Sequence, residues 1–516
     1  MNHISMIVAM MICIILSAYF SATETAFSSL NRTRLRTIAE KAEEIGKNYS
    51  WKKGRFAEDP VRMFKYLLVK IIDRLSDRRV VARQYRIDPM SELKKVLIVT
   101  YYWPPAGGPA IQRTLKFVKY MRFFGWEPVI LTVENGEYPA IDPSLIQEIP
   151  DNIQVYKTKA FQPFQLYRML TGKKGNTHNN ANVFGQKDKT FIERLAKWIR
   201  LNLFIPDARI GWYAYAVKAA KKIIEQEHID LIYSSSPPHS LQLIAQKIAK
   251  QNKIKWVADF RDPWSELVHY QSYKRTWLTR KIDSHFEKSV FRSADRLVAA
   301  ANDYATCIKT HVDRKIEVIY NGYDPSDFPK PKSRNTEDFL ITYTGELSED
   351  RIPHALLRAL SRLEHSNIKL QFIGNTCPEL KQEIQRLNLG NKVILKPYMP
   401  HIASIAELQQ SDLLLLVINQ VANGKGIVPG KIFEYLGTRK PILCLGDPTG
   451  EAGEIIKTTN SGFCIAHHNE EEIFTLLSRL SSGVLPGLSF QIEQFERKNE
   501  TGQLCDIFNT LVNKPS

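Results

Sequence analysis

The chain has 516 residues and a formal charge of +17, from 71 Lys and Arg against 54 Asp and Glu. That length holds two or three domains with sizeable apolar cores, and no recognition motif accompanies the charge to suggest nucleic acid. Six cysteines (Cys13, Cys307, Cys377, Cys444, Cys464, Cys505) show no Cys-x-x-Cys spacing, so free thiols in a reducing compartment are expected, not disulfides or a metal site.

Residues 4–22 are nineteen positions without a charge, about 28 Å as a helix and enough to cross a bilayer. No Lys or Arg precedes them, while Arg32, Arg34, Arg36 and Lys41 follow. The excess of positive charge on the inner side then predicts an outside N-terminus, one pass, and a cytoplasmic body. A cleaved signal peptide lacks support without a basic start; a buried core helix is the alternative. Asp59-Pro60 gives a helix cap, and Phe64, Leu67, Leu68, Ile71, Ile72 and Leu75 repeat at helical spacing. Residues 31–95 hold 18 Lys and Arg against 9 Asp and Glu. This stretch reads either as an interfacial helix on anionic lipid or as a helix packed on the protein core.

From residue 94 onward, Val/Ile/Leu runs alternate with helical stretches, which predicts α/β doubly wound sheets. A first set of strands is expected near 95–100, 127–133, 230–234, 254–259, 296–300 and 316–319. A second falls near 339–343, 368–373, 392–396, 412–417 and 441–445. The proline-rich stretch between them reads as a linker.

The most informative segment is 412–445. A buried strand leads into a glycine loop (Asn423-Gly-Lys-Gly-Ile-Val-Pro-Gly430) and a helix opening at Lys431. A helix start reached through glycines offers backbone N–H groups and a positive dipole end to phosphate. Lys431 adds a cation, and Glu434, one turn in, can accept hydrogen bonds from a ribose diol. Phosphates plus a diol describe a nucleotide; an ordinary strand–turn–helix is the alternative.

Pro429, Gly430, Lys431, Glu434, Tyr435 and Pro441 together resemble the donor-binding motif of the retaining family 4 of GT-B glycosyltransferases. Further elements resemble it in the same order: Tyr101-Tyr-Trp-Pro-Pro-Ala-Gly107-Gly108, Asn321-Gly322-Tyr-Asp324, Tyr343-Thr-Gly345 through Arg351, Leu370–Gly374 and Ser461-Gly-Phe463. The likeness covers about residues 94–512. It implies two Rossmann-like domains facing a cleft, preceded here by one N-terminal transmembrane helix. The divisions expected are a membrane helix and fragment at 1–48, a basic connector at 49–93, and an acceptor-side domain at 94–325. A linker at 326–338 and a nucleotide-sugar domain at 339–516 complete them. Gly107, Gly108, Gly345, Gly430, Lys431 and Glu434 are the implied nucleotide-sugar contacts. Arg351 takes the place of the family's phosphate-binding lysine. Two departures stand out: Gly426 replaces a glutamate that contacts the transferred sugar in the family, and Glu346 replaces an arginine.

Further candidates follow strands of the first half. His239, in a Pro-Pro turn, is expected near the acceptor or as a plain surface residue. Asp259, Arg261, Asp262 and Trp264 follow a buried strand and read as a sugar clamp or a structural ion pair. Glu287 reads as a helix-surface residue. Arg351 and Lys431, with His239 and Asp262, form the implied catalytic set. Cations facing the departing nucleoside diphosphate stabilise it. No Asp-x-Asp element suits a divalent ion, and no cofactor is implied beyond the nucleotide sugar.

Residues 1–48, with Phe20-Ser-Ala-Thr-Glu24 at their centre, resemble the start of the CNNM/CorC cation-transport membrane domain, without its further spans. Two readings therefore remain open: a membrane-associated glycosyltransferase acting on an envelope polysaccharide or glycolipid, or a transport or scaffold protein with a degenerate transferase body.

Overall fold

The computed structural model describes residues 93–138, 140–161, 191–264, 275–329, 337–363, 366–421, 424–483 and 487–512. The chain separates into units Met1–Ser91 and Glu92–Ser516, and every described residue belongs to the second. The apolar segment at 4–22, the transporter-like fragment and the basic helix expected near 59–75 lie outside the described residues. Among those described, no helix is long and apolar enough to cross a membrane.

Seven parallel strands form the first sheet, in the order β3-β2-β1-β4-β5-β6-β7. They are β1 (Lys94–Val99), β2 (Trp126–Val133), β3 (Gln154–Thr158), β4 (Leu231–Ser236), β5 (Lys255–Phe260), β6 (Arg296–Ala299) and β7 (Ile316–Val318). The second sheet has six, in the order β10-β9-β8-β11-β12-β13. Its members are β8 (Phe339–Thr344), β9 (Ile368–Ile373), β10 (Val393–Lys396), β11 (Leu413–Val417), β12 (Ile442–Leu445) and β13 (Gly462–Ile465). Strand order reverses between β1 and β4, and again between β8 and β11. Open parallel sheets bind ligands at such reversals, beyond the strands' carboxyl ends.

Helices cover both faces of each sheet, so the central strands are buried on both sides. In β1, Leu97 and Val99 join one core while Val96 and Ile98 join the other. The uninterrupted run of β11 divides likewise, Leu413 and Leu415 to one face and Leu414 and Leu416 to the other. Truncating one of these leucines to alanine costs about 2–5 kcal/mol. The sequence did not mark β3 and β13 as strands. Both are edge strands, only partly buried, so their apolar signal is weak.

The chain's end departs from the expected division. The last helix, Arg497–Val512, leaves the second domain and packs on the first. Leu504, Cys505 and Phe508 enter the core of Val96, Trp126 and Tyr233, and the Phe508 and Trp126 rings meet edge-on at 5.2 Å. The second domain therefore does not extend to residue 516. Gly322 owes its identity to this return: a Cβ there would lie 2.1 Å from the Phe495 carbonyl. Beside it, Tyr323 N–H donates to Phe495 O (2.9 Å) and Arg497 N–H to Tyr323 O (2.8 Å). The linker also starts clamped: Asp324 accepts from Lys116, Lys119 and Tyr120 at 3.0, 2.6 and 2.8 Å.

Candidate active site

Two βα loops of the second domain build the centre of the site. After β8 the chain turns at Gly345, whose φ of 107° favours glycine. A Cβ there would also stand 3.1 Å from Lys431 Nζ. After β11, the glycine loop leads to the helix Lys431–Thr438, whose start carries no side-chain cap. Lys431 Nζ reaches back to donate to Thr344 O at 2.7 Å and lies 4.0 Å from the centre of the Tyr343 ring. Tyr435 locks the two loops together, its hydroxyl accepting from Thr344 N–H at 3.0 Å.

Arg351 closes the 3-10 turn Glu349–Arg351. Its Nη1 donates to Glu346 O at 3.3 Å, the carbonyl that also accepts from the Tyr343 hydroxyl at 2.8 Å. Its Nε is buried and has no hydrogen-bond partner. Burial, then the like charge of Arg351, brings the Lys431 pKa down to about 7, with Glu434 opposing. Two cations and an uncapped helix start thus converge with little negative charge among them, an arrangement suited to an anion. Gly430 faces open space, since a Cβ there would meet nothing within 4 Å.

Glu434 lies one turn along the same helix, its side chain 42% exposed, with His401 Nε2 3.7 Å from Oε1. It is therefore reachable from outside. His401 was not foreseen: it stands at a Pro-His helix start far away in sequence, with nothing local to mark it.

Across the chain, Gly108 adopts φ 92° at the start of the helix Pro109–Met121 and faces open space. Gly107 N–H donates to Ala140 O at 2.9 Å, and a Cβ on Gly107 would crowd Asp142 at 3.0 Å. These glycines shape the loop after β1.

The candidates after β4 and β5 come together, but inward. Asp259 is fully buried, accepting from Arg113 Nε and Nη2 (2.8 Å each), the Tyr233 hydroxyl (2.8 Å) and Ser235 Oγ (2.6 Å). Burial pushes its carboxyl up, yet Arg113 outweighs this and holds it below the usual range. Trp264 is buried too, donates from Nε1 to Asp283 (2.9 Å), and stacks on His239 with centroids 4.7 Å apart. Arg261 turns back to the carbonyls of Ser236 and Pro237. The clamp expected of Asp259, Arg261 and Trp264 does not form: Asp259 is paired with Arg113, Arg261 with backbone carbonyls, and Trp264 with Asp283 and His239. His239 is neither a surface residue nor open to an acceptor. It is 1% exposed, and burial, then the charge of Arg261, lowers its pKa to about 3. Asp262 remains half-buried, raised by burial with Arg261 opposing. Glu287, expected on a helix surface, is buried instead. Among the described residues, no group of three or more His, Cys, Asp or Glu is placed to hold a metal ion.

Comparison with known proteins bears on the family and the fold. Residues 182–327 match the model for Glycosyltransferase Family 4, and residues 325–483 match that for Glycosyl transferases group 1. No curated protein sequence matches the chain. A glycosyltransferase from Rickettsia africae ESF-5 superposes with a TM-score of 0.51 at 16% identity, covering 83% of this chain and 100% of that one. HepE from Anabaena, in complex with UDP and glucose, gives 0.49 at 16% identity, covering 81% of this chain and 100% of that one. The fold is GT-B, two Rossmann-like domains with parallel sheets. Carrying both matches in chain order, the chain is a glycosyltransferase, an enzyme of the kind that draws on a nucleotide sugar. The alternative of a scaffold with a degenerate body gains no support from either match.

Proposed function

We propose that the enzyme takes its sugar from a nucleoside diphosphate whose phosphates lie between Lys431, Arg351 and the start of the 431–438 helix, with the ribose on Glu434. The observation carrying this reading is the approach of two cations from separate loops: a Cβ on Gly345 would lie 3.1 Å from Lys431 Nζ, and Arg351 Nη1 donates to the carbonyl of the next residue, Glu346, at 3.3 Å. In the transfer, the bond from the anomeric carbon to the β-phosphate oxygen breaks and the acceptor oxygen takes its place. Charge gathers on the diphosphate as it leaves, and the two cations stabilise it there. The acceptor's proton passes to the departing phosphate oxygen, with attack on the same face and retention of configuration. Glu434 fixes the nucleoside and takes no part in the proton transfer.

The acceptor is an envelope polysaccharide or glycolipid, and residues 4–22 anchor the chain with its body in the cytoplasm. Support comes from the uncharged nineteen-residue run and the basic residues after it. The anchor is tested by carbonate extraction of membranes: full-length protein should stay in the pellet, and its release would remove the anchor.

The donor reading is tested by equilibrium binding of UDP, GDP and ADP. One of them should bind the wild type, and Lys431→Ala and Arg351→Ala should each weaken it. Binding untouched by both changes would move the phosphate site elsewhere.

A further inference from the structure

Five large apolar side chains of the first domain stand exposed in two short stretches of chain. Leu195, Trp198 and Leu203 are 46%, 46% and 64% exposed, on and just beyond the helix Phe191–Asn202. Trp277 and Leu278, at 67% and 58%, open the helix Trp277–Ser293. A single exposed leucine is ordinary, whereas a group that includes two tryptophans marks a surface made to meet something apolar.

One buried asparagine brings the two stretches together. Leu195, Trp198 and Asn202 fall at i, i+3 and i+7, so they share one stripe of their helix. Asn202 Nδ2 donates to Trp198 O at 3.0 Å. Its Oδ1 accepts from Thr276 N–H at 2.8 Å and from Thr279 Oγ1 at 3.0 Å. The stripe therefore runs into the start of the second helix, where Trp277 and Leu278 lie between the two residues that hold Asn202.

Charge says what covers this face. Residues 191–203 and 275–281 carry six cations (Arg194, Lys197, Arg200, Arg275, Arg280, Lys281) against Glu193 alone. Arg194, Arg280 and Lys281 are exposed, and Lys281 Nζ lies 4.9 Å from the centre of the Trp277 ring. The next carboxylate along the second helix, Asp283, is buried and already accepts from Trp264 Nε1 (2.9 Å) and Arg275 Nη1 (2.6 Å). It does not neutralise the exposed cations. Tryptophan and leucine beside exposed cations suit the boundary of an anionic bilayer. There indoles sit among the headgroups, and long basic side chains lay their stems on apolar surface while their charges reach phosphate. A second copy of the chain would bring the same positive excess to this face and be repelled by it.

We propose that this face of the first domain lies on an anionic lipid surface, a contact made by the folded body of the enzyme. It is separate from the apolar run at 4–22 and from the nucleotide site, and needs neither reading to hold.

The test places full-length protein on vesicles of phosphatidylcholine, and on vesicles that also hold about one-third phosphatidylglycerol. Both contain a phosphatidylcholine with a photoactivatable diazirine in its acyl chain, and labelled peptides are mapped by mass spectrometry. Peptides holding residues 195–203 and 277–281 should be labelled at least about fivefold more on the anionic vesicles, and the label should fade as salt is raised. Arg280→Gln with Lys281→Gln should lower it by about threefold or more. Trp198→Ser with Trp277→Ser should do the same, with the melting midpoint of each variant checking its fold. Label on residues 4–22 should be alike on both vesicles and reports on the anchor alone, so the two readings fail separately. Absence of label at both helices in the wild type, or equal label on the two kinds of vesicle, would overturn the proposal. So would chain-to-chain cross-links between these stretches, which would assign the face to a second copy.

Discussion

Two groups of charged residues stand at the carboxyl ends of parallel strands in this enzyme, and they differ in what they already hold. At the carboxyl end of β5, Asp259 is fully buried and takes four hydrogen bonds from Arg113, Tyr233 and Ser235. Between β8 and β11, Lys431 holds one carbonyl and an aromatic face, and Arg351 keeps a buried N–H without a partner. The first group has met its electrostatic needs within the fold. The second has not, and the low pKa of Lys431 records the deficit. Position at a strand's end nominates a residue for function, and the partners it has already found decide between function and structure.

The largest expected effect falls on the satisfied group. Asp259→Ala leaves Arg113 buried without its counterion, which should cost about 3–5 kcal/mol of stability, read as a lower denaturant midpoint. Lys431→Ala should leave the midpoint close to that of the wild type, because the fold gains little from a desolvated cation. Equal midpoints for the two variants would erase the distinction between the groups.

Catalysis should show the reverse. Lys431→Ala and Arg351→Ala should each lower turnover by about 10²–10³-fold, by analogy with a lost oxyanion donor. Donor binding should fall less, because the ground-state diphosphate keeps its other contacts. Two cations on one diphosphate are coupled, so the double variant should fall short of the product of the single effects. Near-normal turnover in Arg351→Ala would require another cation for the leaving group.

A smaller effect is expected at Glu434. Glutamine keeps its size but loses the charge on its ribose hydrogen bonds, worth about 1.5–3 kcal/mol. Nucleoside diphosphate and full donor should weaken by the same factor in Glu434→Gln, measured by calorimetry. A loss confined to the full donor would place Glu434 at the sugar.

How far the sequence carried this comparison depends on the range of each interaction. The glycine loop, Lys431 and Glu434 sit within one strand–loop–helix unit, so local pattern was enough to find them. The partners that disqualify Asp259 as a clamp are not local: Arg113 is 146 residues away in sequence. The same holds at Gly426, where the departure from the family was visible but not the Asp303 carboxylate, 2.0 Å at its Cγ from where a Cβ would stand. The residues of the final helix do not say which core it enters, and Gly322 and Phe508 in place reveal the return. The edge strands β3 and β13 escaped because half-exposed strands carry little apolar signal.

The central claim is that Lys431 meets the donor's diphosphate, and proton uptake on binding tests it most directly. In the free enzyme Lys431 titrates at about 7, so near pH 8 most molecules carry it neutral. A bound diphosphate favours the ammonium form and raises that pKa. Calorimetry of nucleoside diphosphate binding at pH 8, in buffers of different ionisation enthalpy, should show uptake approaching one proton per site. Affinity should fall as pH rises above 7, by at most about tenfold per unit, and both effects should vanish in Lys431→Ala. Binding without proton uptake, and with affinity unchanged in that variant, would contradict the account.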